Sequence, residues 1–164
     1  MFYTSTRDNS VKVTASKAIT DGISPDGGLY IPTEIPKISS DEIKALCGVD
    51  YKERAKKILG LYLTDFTEDE LSACVEGAYS DGKFSSKDTA PVVKLHDNVS
   101  VLELFKGPTC AFKDMALQIL PYLLTVSAKK NLENKEIVNN LWSQTSPVDW
   151  VCRWENKIVF SEFL

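Results

Sequence analysis

The sequence predicts a mixed α/β protein, with a small helix-rich α+β unit over residues 1–82 and then the beginning of an α/β domain. Two observations favour the first unit: a turn-rich opening with short alternating stretches, and later segments in which apolar residues recur at helical spacing. A third observation favours the second domain. Two short apolar runs after residue 90 precede a longer apolar segment, the order expected of strands that lead into a helix.

The opening of the chain predicts a strand, a turn and a second strand. Residues 11–13 alternate as Val-Lys-Val, and residues 25–28 read Pro-Asp-Gly-Gly, which is a strong turn signal. A short apolar run follows the turn. We therefore expect two short strands, one on each side of these four residues.

Three helices are predicted in the rest of the first unit. Ser39 and Glu42 have the spacing of a capping box, in which each side chain bonds to the backbone N–H of the other residue. Thr67 and Glu70 have the same spacing. Between them, residues 51–63 place apolar side chains at intervals of three and four, which is one face of a helix. We expect one helix to follow each signal.

A polar run at residues 80–95 predicts the connection to a new domain. It carries glycine and proline, which interrupt regular structure, and we place the domain boundary inside it. Residues 92–93 and 99–104 are then candidate strands. Residues 114–130 have the pattern of a helix that Pro121 should bend or start late.

Composition and charge argue against several classes of function. The 164-residue chain has a net charge of -4, whereas binding to a phosphate backbone needs clustered Lys and Arg. Its most apolar segment is too short to span a bilayer. The four cysteines form no C-x-x-C pair and only one histidine is present, so a metal site is not expected. The N-terminus lacks the pattern of a secretory signal, which favours a cytoplasmic setting without disulfides.

Residues 105–117 read FKGPTCAFKDMAL and place Lys113 at the start of the apolar helix. A helix N-terminus disfavours added positive charge, which helps to keep an amine neutral and nucleophilic. Such an amine can bind an aldehyde cofactor, whereas the ordinary alternative is a solvated surface lysine. Capping is the favoured interpretation of Thr109 and Asp114. Packing is the favoured interpretation of Phe112, with cofactor contact as its alternative.

The amino-acid sequence of this segment resembles that of a known family. LELFKGPTCAFKDMALQ is similar to the segment that holds the cofactor lysine in threonine synthases, which use pyridoxal phosphate. YTSTR at residues 3–7 and DGISPDGGLYIP at residues 21–32 resemble the N-terminal domain of that family, in the same order. The resemblance covers roughly residues 1–138, with mild departures at Asp8 and Lys106. It implies that the second domain is the beginning of a fold-type II pyridoxal-phosphate domain.

The resemblance implies that Lys113 is both the catalytic and the cofactor-binding residue. Its amine would hold pyridoxal 5'-phosphate and then move protons at the α and β carbons of the substrate, with the cofactor as electron sink. The family converts O-phospho-L-homoserine and water to L-threonine and phosphate, in threonine biosynthesis. For Ser5, Thr6 and Arg7 the resemblance allows a role in shaping the mouth of the active site, and the alternative is a solvated turn with one hydrogen-bonding arginine. We expect His96 to be an ordinary exposed histidine in a loop.

The resemblance ends near Val138, where the composition of the chain changes. A threonine synthase would continue into a glycine-rich loop, but this chain reads NNLWSQTSPVDW, and Gly107 is its last glycine. All three tryptophans lie at or after Trp142. We therefore predict a threonine synthase-like N-terminal domain at 1–82, the start of the catalytic domain at 83–138, and an atypical tail at 139–164. The tail is interpreted as the result of truncation or an altered reading frame, or alternatively as a real interaction segment.

Two functions stay open at this point. The first is a threonine synthase-like lyase of which this chain is an incomplete piece, inactive or very weak because no phosphate or carboxylate loop follows Lys113. The second is a non-catalytic fragment that binds a partner, such as the full-length enzyme, through exposed apolar surface. Self-association through an incomplete core is a further expectation.

Overall fold

The computed structural model describes residues 1–131 and two strands at residues 151–154 and 157–160. In chain order the elements are β1 (Tyr3–Ser5), α1 (Ala15–Asp21), β2 (Tyr30–Pro32), α2 (Ser40–Cys47), α3 (Tyr51–Tyr62), α4 (Glu68–Tyr79), β3 (Val92–His96), β4 (Val99–Leu102), α5 (Asp114–Leu117), α6 (Leu120–Asn131), β5 (Val151–Trp154) and β6 (Lys157–Phe160). This mixture of helices and short strands confirms the predicted fold class.

The opening strands pair differently from the prediction. β1 runs antiparallel to β2, with Tyr3 opposite Pro32. The predicted strand at residues 11–13 is reduced to a single bridge, between Val13 and Tyr3. α1 lies between β1 and β2 in the chain. The sequence did not predict this helix, because its seven residues are too few for a clear helical period.

The three helices predicted in the first unit, two from capping boxes and one from apolar spacing, are confirmed. At α2, the Glu42 N–H donates to Ser39 Oγ at 3.2 Å, and the Ser39 N–H donates to Glu42 Oε2 at 3.0 Å. Thr67 and Glu70 form the same reciprocal pair at α4, with distances of 3.2 and 2.8 Å. Each box satisfies two backbone donors that a helix start would otherwise leave without a partner.

The core lies where α4 packs against α3 and α6, with α1 packed on α6. It consists mainly of apolar side chains from these helices and the loops beside them. The buried members are Ala15, Leu63, Phe66, Leu71, Cys74, Val75, Ala78, Tyr79, Phe84, Ile119 and Leu123. Two of these come from the segment at and after α5, so α6 completes the core that the first four helices begin.

The predicted strands after the connector form a hairpin. β3 and β4 run antiparallel, with Val92 opposite Leu102, and every residue of both strands is exposed. We expected the beginning of an α/β sheet here. Within the described residues, these strands instead form a two-stranded ribbon that is open on both faces. The predicted helix at 114–130 is divided into α5 and α6. α6 starts one residue before Pro121, so the expected late start is confirmed.

Of the predicted tail at residues 139–164, only the backbone of β5 and β6 belongs to the described part of the chain. These two strands pair antiparallel, with Val151 opposite Phe160. The remainder of the tail lies outside the described residues, and the domain boundaries and the origin of the tail stay predictions. Within the described range, no helix has the length and apolar character needed to cross a membrane.

Candidate functional site

Lys113 lies immediately before α5, in the N-cap position, and its side chain is exposed. Its side chain makes no capping hydrogen bond to the helix. α5 is only four residues long, so it carries little of the dipole on which the argument for a neutral amine depended. The position of the lysine at a helix start is as predicted, but that electrostatic argument is wrong here.

An open depression of about 510 Å³ adjoins the lysine. It is lined by Leu104, Phe112, Lys113, Met115, Ala116 and Leu117. Among the described residues, Lys113 is therefore the one charged residue that lines this depression. Phe112 is 66% exposed, so the packing interpretation of this ring is wrong in the described part of the chain. Its contact with a cofactor stays a prediction.

Asp114, the residue after the lysine, carries a carboxylate whose role the sequence did not reveal. It is 0% exposed. Its Oδ2 accepts the Thr109 N–H at 2.9 Å, and its Oδ1 accepts the Thr109 hydroxyl at 2.7 Å. Both residues were interpreted as helix caps. That interpretation is wrong, because the carboxylate bonds back to the preceding loop and Thr109 acts as a donor.

The loop between Thr109 and the preceding glycine wraps closely around this carboxylate. A Cβ on Gly107 would collide with the Asp114 side chain, whose Cγ would lie 2.7 Å away. The Cys110 N–H donates to the Gly107 carbonyl at 3.1 Å, and Cys110 has a positive φ of 57°. Glycine is thus required at residue 107 by close approach, because any side chain there would displace the buried carboxylate.

On its other side, the lysine segment is fixed to α3 and α4. The Tyr79 hydroxyl of α4 donates to the Met115 carbonyl at 2.6 Å, and the Tyr51 hydroxyl donates to Met115 Sδ at 3.8 Å. The two tyrosine rings meet edge to face, with centroids 4.9 Å apart. Burial, followed by the neighbouring Tyr51, raises the pKa of Tyr79, so its hydroxyl remains a donor throughout the physiological range.

The connector also bonds to the segment that precedes the lysine. The Ser85 N–H donates to the Lys106 carbonyl at 2.8 Å, and the Glu103 N–H donates to the Pro91 carbonyl at 2.9 Å. Lys106 and Glu103 form an ion pair at 3.0 Å. These bonds fix the course of the chain from β4 to Gly107, which is where the loop around Asp114 begins.

The two motifs in the first 32 residues form one hydrogen-bonded unit. Ser5 is 0% exposed and donates to the Asp26 carboxylate at 2.7 and 2.8 Å. Arg7 donates from Nη1 to the Asp26 carbonyl at 2.9 Å, and a Cβ on Gly28 would collide with Ser5 Oγ. The Gly28 N–H, followed by the Ser5 hydroxyl, lowers the pKa of Asp26. A hydrogen-bonding arginine is confirmed, but the solvated turn is wrong for Ser5.

Of the other residues considered for chemistry, His96, Cys47 and Cys74 lie outside the Lys113 segment, whereas Cys110 belongs to the loop before it. His96 is exposed at the end of β3 rather than in a loop. Cys47, Cys74 and Cys110 carry free thiols, and burial raises the pKa of Cys74 to about 11. Among residues 1–131 and the two later strands, no group of three or more His, Cys, Asp or Glu side chains could hold a metal ion.

Sequence comparisons relate the chain to threonine synthases. The family model described as the threonine synthase N terminus matches residues 2–79. The chain is 37% identical over 127 residues to the threonine synthase of Methylobacillus glycogenes, an alignment that covers 73% of this chain and 27% of that protein. It is 38% identical over 135 residues to the threonine synthase of Schizosaccharomyces pombe, with 81% and 26% covered.

The fold is similar to the same group of proteins. The crystal structure of threonine synthase from Brucella melitensis with bound PLP superposes with a TM-score of 0.74 at 36% sequence identity. The superposition covers 82% of this chain and 29% of that one. The chain thus spans less than a third of the length of the relatives that it matches.

Proposed function

Because the chain belongs to the threonine synthase family and is similar to the N-terminal part of its members, we propose that Lys113 is the cofactor lysine of a threonine synthase-like lyase. The reaction would convert O-phospho-L-homoserine and water to L-threonine and phosphate, and the cofactor would be pyridoxal 5'-phosphate. One observation carries the proposal. An exposed lysine amine adjoins an open apolar depression, on a segment that is fixed on both sides.

Each group at the depression has a defined task in this proposal. The Lys113 amine binds the aldehyde of the cofactor and later moves protons at the α and β carbons of the substrate. Leu104, Phe112 and Leu117 provide an apolar wall beside this exposed amine. When bound, pyridoxal phosphate supplies the electron sink.

The described residues fit one part of a pyridoxal-phosphate site. They provide the amine and the apolar wall, and Lys113 is the one charged residue that lines the depression in this part of the chain. We expect the groups that would hold the phosphate and the pyridine nitrogen in the rest of the threonine synthase fold, of which this chain spans less than a third. We therefore expect no threonine formation by this chain alone at an enzyme-like rate.

A trapping experiment tests the assignment of the lysine. The purified chain is incubated with pyridoxal phosphate and reduced with borohydride, and the labelled lysines are mapped by mass spectrometry. We expect the label to concentrate on Lys113 and to be absent there in Lys113→Ala. Lys106→Ala is the matched control, because that nearby lysine is paired with Glu103 and should not change the labelling of Lys113.

The distribution of the label decides the outcome. Labelling spread evenly over the surface lysines of the native chain would overturn the assignment of Lys113. Equal labelling of Lys113 in the folded chain and in urea would also overturn it, because the structure would then contribute nothing to the selectivity.

The same proposal assigns the chain to the cytoplasm. Its free thiols include the exposed Cys47 and Cys110, which remain reduced in that compartment. Fractionation of the producing cells, with an antibody against the chain, would contradict this if the protein were found outside the cytoplasm.

The open hairpin favours a second candidate function, the binding of a protein partner. Val92, Leu95 and Leu102 are 68%, 61% and 53% exposed, and the surface continues with the half-exposed Phe105. Apolar surface of this kind usually marks a contact with another polypeptide. Since most of the threonine synthase fold lies beyond the part that this chain matches, we propose that the partner is the remaining, C-terminal part of a threonine synthase.

Binding to that part can be measured directly. The probe is the segment of the Methylobacillus glycogenes threonine synthase that follows the aligned region, and we expect a complex in sedimentation velocity. Val92→Lys with Leu95→Lys should abolish it, whereas Ile35→Lys, which changes a residue 78% exposed before α2, should not. Self-association of the chain without binding to the probe would overturn this choice of partner.

A further inference from the structure

We propose that Asp114 and Thr109 are positioning residues that fix the backbone at Lys113, so that its amine is held at the depression. This inference rests on the proposed function of Lys113 and adds to it the pair of side chains that set its position. Neither residue lines the depression, so they act through the chain and not by touching a cofactor.

The burial of Asp114 is the first argument. A carboxylate that is removed from water costs free energy unless hydrogen bonds compensate for it. Here both oxygens accept from Thr109, one from the backbone N–H and one from the hydroxyl. An apolar residue would fill the same volume at less cost, so the carboxylate is best explained by the bonds that it makes to the loop.

The position of these bonds along the chain is the second argument. They join Thr109 to Asp114, across the loop that ends in Lys113. On the other side, the Lys113 carbonyl accepts the Ala116 and Leu117 N–H groups at 3.0 and 2.8 Å. The lysine backbone is thus held from both directions, so the side-chain torsions of Lys113 set the position of its amine.

The close approach of Gly107 is the third argument. The glycine lies against Asp114 so tightly that no side chain fits between them. Loop, carboxylate and hydroxyl therefore form one packed unit beside the lysine. A group that must meet a reacting atom benefits from such fixing, because a displacement of about 1 Å can cost about a hundredfold in rate.

A matched pair of substitutions separates the hydroxyl from the side-chain volume. Thr109→Val keeps the shape and removes the donor, whereas Thr109→Ser keeps the donor. Asp114→Asn keeps the shape of the acceptor but replaces one oxygen with a donor that faces the Thr109 N–H or hydroxyl. Asp97→Asn, at an exposed position beyond β3, controls for the loss of one negative charge.

Two measurements are made on the full chain for each variant. Amide hydrogen exchange follows the Thr109 N–H, with the amides of α4 as the control for an intact fold. Borohydride trapping with pyridoxal phosphate follows the share of label on Lys113. Thr109→Val and Asp114→Asn should speed exchange at residue 109 and lower the labelled share by about tenfold, whereas Thr109→Ser and Asp97→Asn should change neither.

Other results would contradict either this inference or the proposed function of Lys113. Faster exchange without any fall in labelling would make the pair merely structural and would overturn the inference. Fast exchange of the Thr109 N–H in the native chain would show that the hydrogen bond is absent, with the same effect. Indiscriminate labelling of the native chain would overturn the proposed function and the inference together. If Asp114→Asn unfolds α4, the comparison of Thr109→Val with Thr109→Ser decides alone.

Discussion

The residues before the connector and the hairpin after it bury their apolar side chains to very different extents. In the first region, α4 contributes Val75 and Ala78 at 0% exposure, packed among side chains of α3 and α6. In the hairpin, all residues of β3 and β4 are exposed. Lys113 follows the open strands in the chain and precedes α6, the helix that returns to the core. Stability thus comes from the first region, and contacts with other molecules are expected at the second.

The chemical reason for this difference is visible in the strands themselves. β3 reads VVKLH and β4 reads VSVL, so apolar residues occur on both faces of the ribbon. A two-stranded hairpin needs cover on its apolar faces to be stable in water. In the first region, α1 and α4 bury apolar side chains within the same chain, and Tyr51, Ala55 and Leu59 of α3 pack against that core.

The largest expected effect tests the contrast in burial. Leu71→Ala removes a side chain that is 6% exposed in α4, and we expect it to lower the free energy of unfolding by about 2–5 kcal/mol, because a cavity is left behind. Leu95→Ala, at a site 61% exposed in β3, should change it by less than about 0.5 kcal/mol. Urea unfolding followed by circular dichroism measures both.

Equal losses in these two variants would contradict the contrast, since the hairpin would then be covered in solution. A concentration-dependent loss in Leu95→Ala would show that the cover is a second copy of the chain. Either result would mean that the second region is a stable interface in solution.

Two glycines in the first region give a sharper test of its packing. Gly77 lies where α4 meets α6, and a Cβ there would collide with the Tyr122 ring, whose Cζ would lie 2.7 Å away. We expect Gly77→Ala to lower the free energy of unfolding by about 1–3 kcal/mol, although alanine favours a helix. At Gly60 the nearest atom would be Leu71 Cδ1 at 3.7 Å, so Gly60→Ala should instead raise it by about 0.5–1 kcal/mol.

Thermal unfolding of the two alanine variants distinguishes these signs. A stabilising Gly77→Ala would mean that α6 can move away from α4 without cost. In that case α6 would not be held by close packing against α4.

The features that sequence reasoning found are those that short spacings encode. The capping boxes at Ser39 and Thr67 involve neighbours three residues apart, and the late start of α6 follows from the ring of Pro121. Lys113 is predicted as the cofactor lysine from the amino-acid sequence of its segment. The bond from Thr109 to Asp114 was missed, because a carboxylate that bonds backwards into a loop has no period and looks like a cap. The exposure of the hairpin depends on what packs near it, which the strand pattern alone does not contain.

A smaller effect is expected where α4 is bonded to the lysine segment. Tyr79→Phe removes the donor to the Met115 carbonyl and should lower the free energy of unfolding by about 1 kcal/mol. Tyr51→Phe removes a longer bond to the Met115 sulfur, a weak acceptor, so its effect should be less than half as large. The trapped share of Lys113 should fall in Tyr79→Phe alone. A fall in both variants would assign the effect to ring packing instead of to the hydrogen bond.

The smallest predicted effect depends on pH and concerns an ion pair that joins α6 to α4. Lys130 Nζ lies 2.7 Å from Glu70 Oε2, with side chains 25% and 30% exposed. Burial acts to raise the pKa of Glu70, but the Lys130 ammonium and the Thr67 N–H outweigh it and hold that pKa below its ordinary value. A lowered folded-state pKa adds stability above the unfolded value of about 4.3, and this is lost as the pH falls through the folded value.

Lys130→Met keeps the apolar stem of the side chain and removes its charge. At pH 7 we expect it to lower the free energy of unfolding by about 0.5–1 kcal/mol, and the difference from the native chain should vanish as the pH falls below the folded-state pKa of Glu70. Lys44→Met is the control, because that ion pair is 76% and 92% exposed and should contribute close to nothing at either pH. A loss in Lys130→Met that persists in acid would show that α6 is held by the Lys130 ammonium over the Phe66 ring, whose centroid is 5.5 Å from Nζ. The attachment of α6 would then depend on the charge of Lys130 but not on the ionisation of Glu70.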